Sequence, residues 1–253
     1  AQIGDVAYFC STSSNAEFTG EIDQVRAFTS TGMTLDDNSD DSFYVNRNSE
    51  TYVAHAWLAG TAFSNDASET SVGTVDSEGQ ANTDAGFSIV KYVGTGSVLS
   101  WKHGLNSAPD LVMVKNRDQA DSWNVQHSAL GGTKVLYLNS NSALATQSTR
   151  WNDTNPTSSV VTIGTIDEMN TSGENYIAYC WHSVDGYSSF GSYEARGGTQ
   201  QFVYTGFPVG YVMVKRTDSS DNWTIHDFGR DPTFNPSDSY LLYDDNAAEA
   251  TFS

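Results

Sequence analysis

Short runs in which apolar and polar residues alternate recur along this chain, each closed by turn-forming residues. They fall at 52–57, 87–93, 111–115, 123–127, 135–138, 160–163 and 176–181, then at 191–193, 202–205, 211–215, 223–226 and 240–243. The runs are rich in Val, Ile, Tyr and Trp and are bounded by Gly, Asn, Asp, Ser or Pro, which is how strands end in turns. No stretch sustains a capped apolar stripe at helical spacing. The pattern predicts an all-β chain. Between two of the runs, residues 61–84 (TAFSNDASETSVGTVDSEGQANTD) are small, polar and acidic, and read as a linker or long loop.

Composition supports the same class. Asp outnumbers Glu 22 to 9, Val outnumbers Leu 20 to 11, and there are only 5 Lys. Asp bonds to nearby backbone and favours turns, whereas Glu, Leu and Lys are helix formers. The balance of 12 Lys+Arg against 31 Asp+Glu gives a formal charge of −19. Nucleic acid and anionic membranes both require clustered cations, so neither is expected as a partner. No apolar run approaches the ~18–20 residues of a spanning helix, and no signal peptide opens the sequence. Six Trp, 13 Tyr and 12 Phe supply core-forming bulk. Cys10 and Cys180 sit in apolar, strand-like settings and match no zinc or CxxC spacing, so each reads as a buried, unreactive thiol.

The chain contains an internal duplication. Residues 112–123 (VMVKNRDQADSW) and 212–223 (VMVKRTDSSDNW) share seven of 12 positions at a spacing of 100. The likeness extends to GFS at 86–88 against GYS at 186–188, and to VLYLNSNSA at 135–143 against YLLYDDNAA at 240–248. A further echo pairs ETYVAHAW at 50–57 with ENYIAYCW at 174–181. A period of this length suits one β-sandwich of about seven strands rather than a solenoid or propeller blade. The expectation is tandem antiparallel β-sandwich domains of jelly-roll or Ig-like type. Residues 85–184 would form one repeat, and 185–253 a second, incomplete one. The N-terminal part reads as the end of something, and the whole as a piece of a longer polypeptide.

Candidate chemistry is sparse. The five His are scattered, and no metalloprotease, nucleophile-elbow, P-loop or dinucleotide motif is present. His127 and His226 follow equivalent Trp residues and read as structural strand-end residues. Asp118/Asp121 and Asp218/Asp221 repeat as DxxD ahead of a Trp; a turn is favoured over a Ca²⁺ loop, because carboxylates are few and no closing Glu follows. Residues 36–41 (DDNSDD) open like a calcium loop but lack its sixth-position Gly and twelfth-position Glu. No catalytic set, metal site or cofactor is expected. Trp57, Trp123, Trp181 and Trp223 lie in alternating strands and read as core. Trp101, Trp151 and the neighbouring Asp153 are the ligand candidates, since an exposed indole beside Asn and Asp could stack on a sugar; ordinary packing is the alternative for both indoles.

The motifs GFSIVKYVGTGS, HGLNSAPDLVMVKNRD, SWNVQHSALG, TKVLYLN, ENYIAYCWHSVDGYSSFGSY and FVYTGFPVGYVMVKRTDSSDNW, in order over residues 50–253, resemble a repeat of marine bacteriophage tail-fibre and virion structural proteins. Upstream, FTGEIDQVRAF at 18–28 is similar to the closing strands of a laminin-G/concanavalin-like jelly roll, which would make residues 1–60 the end of such a module. The resemblance implies a virion-surface fibre scaffold that attaches to host-surface glycans, and self-association as a homo-oligomer, a trimer, alongside other virion proteins. It carries no catalytic residues with it. The competing classes are a glycan depolymerase or glycosidase, which needs two carboxylates ~5–10 Å apart with one pKa perturbed, and a stand-alone carbohydrate-binding module.

Overall fold

A computed structural model describes residues 7–19, 25–35, 45–46, 48–198, 200–230 and 238–251. Two small hairpins come first, β1 (Ala7–Tyr8) with β2 (Phe18–Thr19) and β3 (Val25–Phe28) with β4 (Met33–Leu35). Then follow β5 (Thr61–Asn65), α1 (Ala67–Thr70), β6 (Ser77–Asn82), β7 (Phe87–Val93), β8 (Leu99–Lys102), β9 (Leu111–Asn116) and β10 (Asn124–His127). After these come β11 (Lys134–Tyr137), β12 (Ala145–Thr146), α2 (Ser148–Trp151), β13 (Val160–Ile163), α3 (Asp167–Asn170) and β14 (Asn175–Trp181). The last four strands are β15 (Tyr211–Lys215), β16 (Trp223–Asp227), β17 (Ser239–Leu242) and β18 (Ala250–Thr251). The fold is all-β, built from several antiparallel sheets, and each α-helix among the described residues is a single four-residue turn. None of these helices is long and apolar enough to cross a membrane.

The largest sheet has eight strands in the order β12-β11-β10-β9-β14-β7-β6-β5 and remains open. Its centre is β9, every residue of which is buried. Side chains alternate across a strand, and β9 feeds two cores accordingly. Val112 and Val114 join a cluster with Val90, Tyr92, Tyr176 and Ala178, covered by Leu99, Trp101, Val161 and Ile163 from the two-stranded ribbon β8–β13 and by Trp151 of α2. Leu111 and Met113 face a second cluster with Trp123, Val125, Leu136 and Leu138, closed by Trp223, Met213 and Tyr243 from the four-stranded sheet β15-β16-β17-β18. An aromatic stack holds the first core: Trp101 on Tyr92 at 5.3 Å and Tyr92 on Tyr176 at 5.1 Å.

Residues 61–84 are therefore not a linker. β5 and β6 form the far end of the large sheet: β5 pairs with β6 along its full length, and β6 pairs with β7 along its own. Their small polar side chains disguise the strands: β5 is the edge, and both strands are held by main-chain pairing with few large apolar residues. Gly104 shows how tightly this edge is set: it has φ +77°, and a Cβ there would meet the Phe63 ring of β5 at 2.5 Å.

The duplication is visible in register. Leu111 pairs with His127 as Tyr211 pairs with Asp227, and β11–β12 pair as β17–β18 do, Lys134 with Thr146 and Ser239 with Thr251. The hairpin β1–β2 repeats that register a third time, Ala7 with Thr19 and Tyr8 with Phe18. Its docking is repeated too. Trp123 Nε1 donates to Cys10 O at 3.3 Å and Glu17 N to Arg117 O at 2.9 Å. At equivalent positions Trp223 Nε1 donates to Tyr137 O at 2.9 Å and Leu144 N to Thr217 O at 2.9 Å. Ser11 and Tyr243, also equivalent, touch through Ser11 Oγ donating to Tyr243 O at 3.0 Å. Three like hairpins thus converge on the second core.

Several sequence expectations change. Residues 52–57, 191–193 and 202–205 form no strand, because a strand exists only when paired and no edge is laddered to them among the described residues. Trp57 is 44 % exposed rather than core. Cys10 is exposed, while Cys180 is buried, with burial pushing its thiol up to about 12. His127 lies opposite Leu111, but His226 lies opposite Val212, so the two His are one register step apart and on opposite faces. Trp101 and Trp151 are fully buried in the first core. Trp101→Ala and Trp151→Ala should each lower unfolding free energy by about 3–5 kcal/mol, measured by urea denaturation, as expected for deleting a core indole. A loss below 1 kcal/mol would mean that the indoles do not support the core.

Candidate functional site

Of the three predicted ligand residues, only Asp153 reaches solvent. It follows Asn152, the C-cap of α2, and both residues have φ 51°. Buried indoles cannot stack on a sugar, so packing accounts for Trp101 and Trp151 and the three residues do not form a platform. Large exposed aromatics lie elsewhere: Phe202 is 85 % and Tyr204 80 % exposed. Their run FVYT alternates as a strand does, and nothing in that alternation reveals that no neighbour covers it.

The densest polar constellation lies where β9 runs into the first DxxD turn. Asn116 Oδ1 accepts from the amides of Asp118 (2.9 Å) and Gln119 (3.2 Å), an Asx turn. Its Nδ2 donates to Asp121 Oδ2 at 2.7 Å and Glu174 Oε2 at 2.6 Å. Asp118 Oδ2 accepts from Asn175 N at 2.7 Å, tying the turn to the start of β14. Lys115 is fully buried, and its Nζ donates to Asn116 O (2.7 Å) and Gln119 O (3.2 Å). Its ammonium therefore fills the loop where a Ca²⁺ reading would place a metal ion. Burial pushes Lys115 down to about 8, against the opposing pull of Asp121. Turn chemistry explains this DxxD. In the second copy Asp221 Oδ1 accepts from Asn222 N and Asp218 pairs with Arg216, while Lys215 Nζ donates to Arg216 O at 2.7 Å. Residues 36–41 lie outside the described residues, and among those described no cluster of His, Cys, Asp or Glu could hold a metal ion.

Two carboxylates on one amide nitrogen lie no more than about 5 Å apart. Burial raises the Asp121 pKa, with Glu168 and Glu174 adding to the push against the Asn116 hydrogen bond and Lys115. Tyr176 OH also reaches the pair, accepting from Asn116 Nδ2 at 3.3 Å. Beside it the buried Arg150 donates to Glu168 Oε2 (2.6 Å), Gln147 Oε1 (2.6 Å) and Asn124 Oδ1 and lies over the Tyr137 ring. Sequence reasoning missed Asn116, which lies within the repeated run 112–123 but is Arg216 in the second copy, and Arg150, which belongs to no motif; only the fold brings them to the carboxylates.

Two His environments are defined by burial. His103 is fully buried: Nε2 donates to Thr157 O at 3.1 Å and Nδ1 accepts from Leu105 N at 3.2 Å. This fixes the neutral tautomer, and burial pushes the pKa to about 4. The His55 ring lies 4.6 Å from that of Tyr211, tilted by 59°, and sits 3.8 Å from Asp227, whose carboxylate pairs with Arg230 at 2.7 Å. Burial lowers His55, with Asp227 opposing, and the Arg230 hydrogen bonds outweigh burial in holding Asp227 low.

Two outcomes test this chemistry. Lys115→Met should cost about 1–3 kcal/mol in urea unfolding, since two turn carbonyls lose their donor. Lys215→Met, at the more open copy, should cost under about 1 kcal/mol; equal costs would refute the internal-cation role. Because the folded pKa of His103 is below its unfolded value, the unfolded state binds more protons between about pH 4 and 6.5. Stability from this group is therefore complete above about 6.5 and lost as pH falls towards 4, by on the order of 3 kcal/mol. His103→Gln should flatten that part of the pH–stability curve relative to wild type; an unchanged slope would assign it to other groups.

A family model described as Domain of unknown function (DUF7483) matches residues 4–253. No curated protein and no solved structure matches the chain. Since one model spans both the duplicated unit and the hairpin that docks on it, the chain belongs to the DUF7483 family.

Proposed function

We propose that this chain is a scaffold segment of a phage virion fibre or related virion-surface protein, assembled as a homo-oligomer, a trimer, with other virion proteins and attached to host-surface glycans. The observation that carries the reading is the repeated docking contact: Trp123 to Cys10 and Trp223 to Tyr137, one geometry used twice between successive repeats. A chain that adds units through one recurring contact builds extended structure from local information alone, which is what a scaffold requires. On this reading residues 7–57 carry the last hairpin and closing strand of a further copy of the repeat, and this replaces the laminin-G-like module. The finer architecture is a row of β-sandwiches whose layers are the large sheet and its covering ribbon. The formal charge of −19 supports solubility of a long assembly.

Glycan attachment is assigned to the exposed aromatics Phe202 and Tyr204, because stacking on sugar rings needs an open ring face. Sedimentation velocity should give a trimer, and a glycan array should show binding that Tyr204→Ala reduces at least tenfold while leaving the melting temperature unchanged. A monomer that binds no glycan would overturn both parts. A glycosidase reading has one observation in its favour, the Asp121/Glu174 pair with its raised Asp121 pKa. Polysaccharide cleavage abolished by Asp121→Asn and by Glu174→Gln would establish it in place of the scaffold.

A further inference from the structure

The large sheet and the four-stranded sheet share a register but differ at one edge. In the large sheet β9 lies between β10 and β14, whereas β15, its counterpart, pairs with β16 and ends the order of its sheet. The position of β14 is vacant beside β15 among the described residues. The missing strand has a known sequence type, because β14 is part of ENYIAYCW at 174–181. That type occurs once more, as ETYVAHAW at 50–57, and this segment is exposed and in no ladder among the described residues. Among the described residues, a segment of the closing-strand type without a ladder and a sheet edge without its closing strand thus occur in one chain.

They also lie side by side. The His55 ring is 4.6 Å from that of Tyr211, on β15, and 3.8 Å from Asp227, on β16. The register of the large sheet says where the segment belongs. Trp181, Cys180, Tyr179 and Ala178 pair with Leu111, Val112, Met113 and Val114. Transferred, Trp57 would lie opposite Tyr211, Ala56 opposite Val212, His55 opposite Met213 and Ala54 opposite Val214. His55 and Tyr211 would then be diagonal neighbours on one face, which is the contact the two rings already make. Trp57 packs on Trp181 at 6.1 Å, so the segment is anchored at the end where pairing would start.

We infer that the free edge of β15 is a docking site for a strand of the type E-x-Y-(V/I)-A-x-x-W, and that its occupant is residues 50–57 of the same chain. Main-chain bonding supplies the affinity, and the Tyr, small Ala and Trp positions set the register, as in other strand additions to a sheet edge. A tether within one chain raises the effective concentration of the segment well above that of a second copy. Closing the edge also removes a template for uncontrolled strand pairing.

The test is a cysteine pair, Ala56→Cys with Val212→Cys, in a Cys10→Ser background. Val112→Cys opposite the native Cys180 serves as the positive control, being the same register pair in the large sheet. Ala54→Cys with Met213→Cys, one residue out of register, is the negative control. The expected result is an intrachain disulfide in the test and positive-control proteins and none in the negative control. A disulfide between chains would make the occupant a second copy, and no disulfide alongside a working positive control would leave the edge unoccupied; either overturns the inference. Hydrogen exchange on the unmodified chain gives an independent reading. Those amides of 211–215 not bonded to β16 should exchange as slowly as their counterparts in 111–115, and Ala54→Pro should speed them. Exchange at the rate of an open edge in the unmodified protein overturns the inference as well.

Discussion

Everything in this fold depends on β9 being buried on both faces. A strand so placed has to carry apolar side chains at successive positions, as Leu111 to Val114 do, and its backbone must be bonded on both sides. The demanding part is the end of the strand, where Lys115 and Asn116 remain fully buried. Burying an ammonium and a carboxamide is costly unless every polar atom is engaged. The DxxD turn meets that need: its carbonyls receive the ammonium, its amides bond to Asn116 Oδ1, and Asp121 with Glu174 takes both N–H groups of the carboxamide. The motif thus plugs the central strand in the first copy; in the second, where Arg216 replaces Asn116, the contact of Lys215 Nζ with the following carbonyl is kept.

In the second copy the same meander has no second laddered neighbour among the described residues. Residues of β15 are only partly buried, where those of β9 are wholly so. Ahead of β15, the large aromatic residues Phe202 and Tyr204 stand in solvent. The sheets otherwise agree in register, so the difference is one of neighbours and not of sequence type.

Legibility in the sequence followed how strongly each element is buried. Strands with two covered faces, β9 and β14, announce themselves through bulky apolar and β-branched residues, and the duplication was readable because 112–123 and 212–223 both answer the same packing demand. β5, the edge, and its neighbour β6 were hidden because both are held by main-chain bonds, which any small residue can make. The runs 52–57 and 202–205 failed for the opposite reason: their side chains suit a strand, yet pairing is a property of the neighbour. The third hairpin escaped notice because β1–β2 and β11–β12 share a register and a docking contact while sharing few residues. Trp101 and Trp151 looked loop-borne; their burial is decided by the ribbon and the short helix folding over one face of the sheet. The single-residue slip between His127 and His226 could not be seen without pairing partners, and in a strand one residue is the whole distance between two faces.

The charge imbalance takes its meaning from where the few cations sit. Arg150 and Arg230 are buried against Glu168 and Asp227, Arg117 pairs with Glu17 across the first docking contact, and Lys115 plugs the central turn. With so many carboxylates and only 12 Lys+Arg, a cation at a buried site cannot be replaced by rearranging its neighbours, because few others are near enough to substitute. Asp66 and Asp221, by contrast, bond local amides at exposed turns, a role that Asn would also fill. The acidic excess therefore marks the loops, whereas the stability of the folded chain rests on its scarce positive residues and the strand ends they occupy.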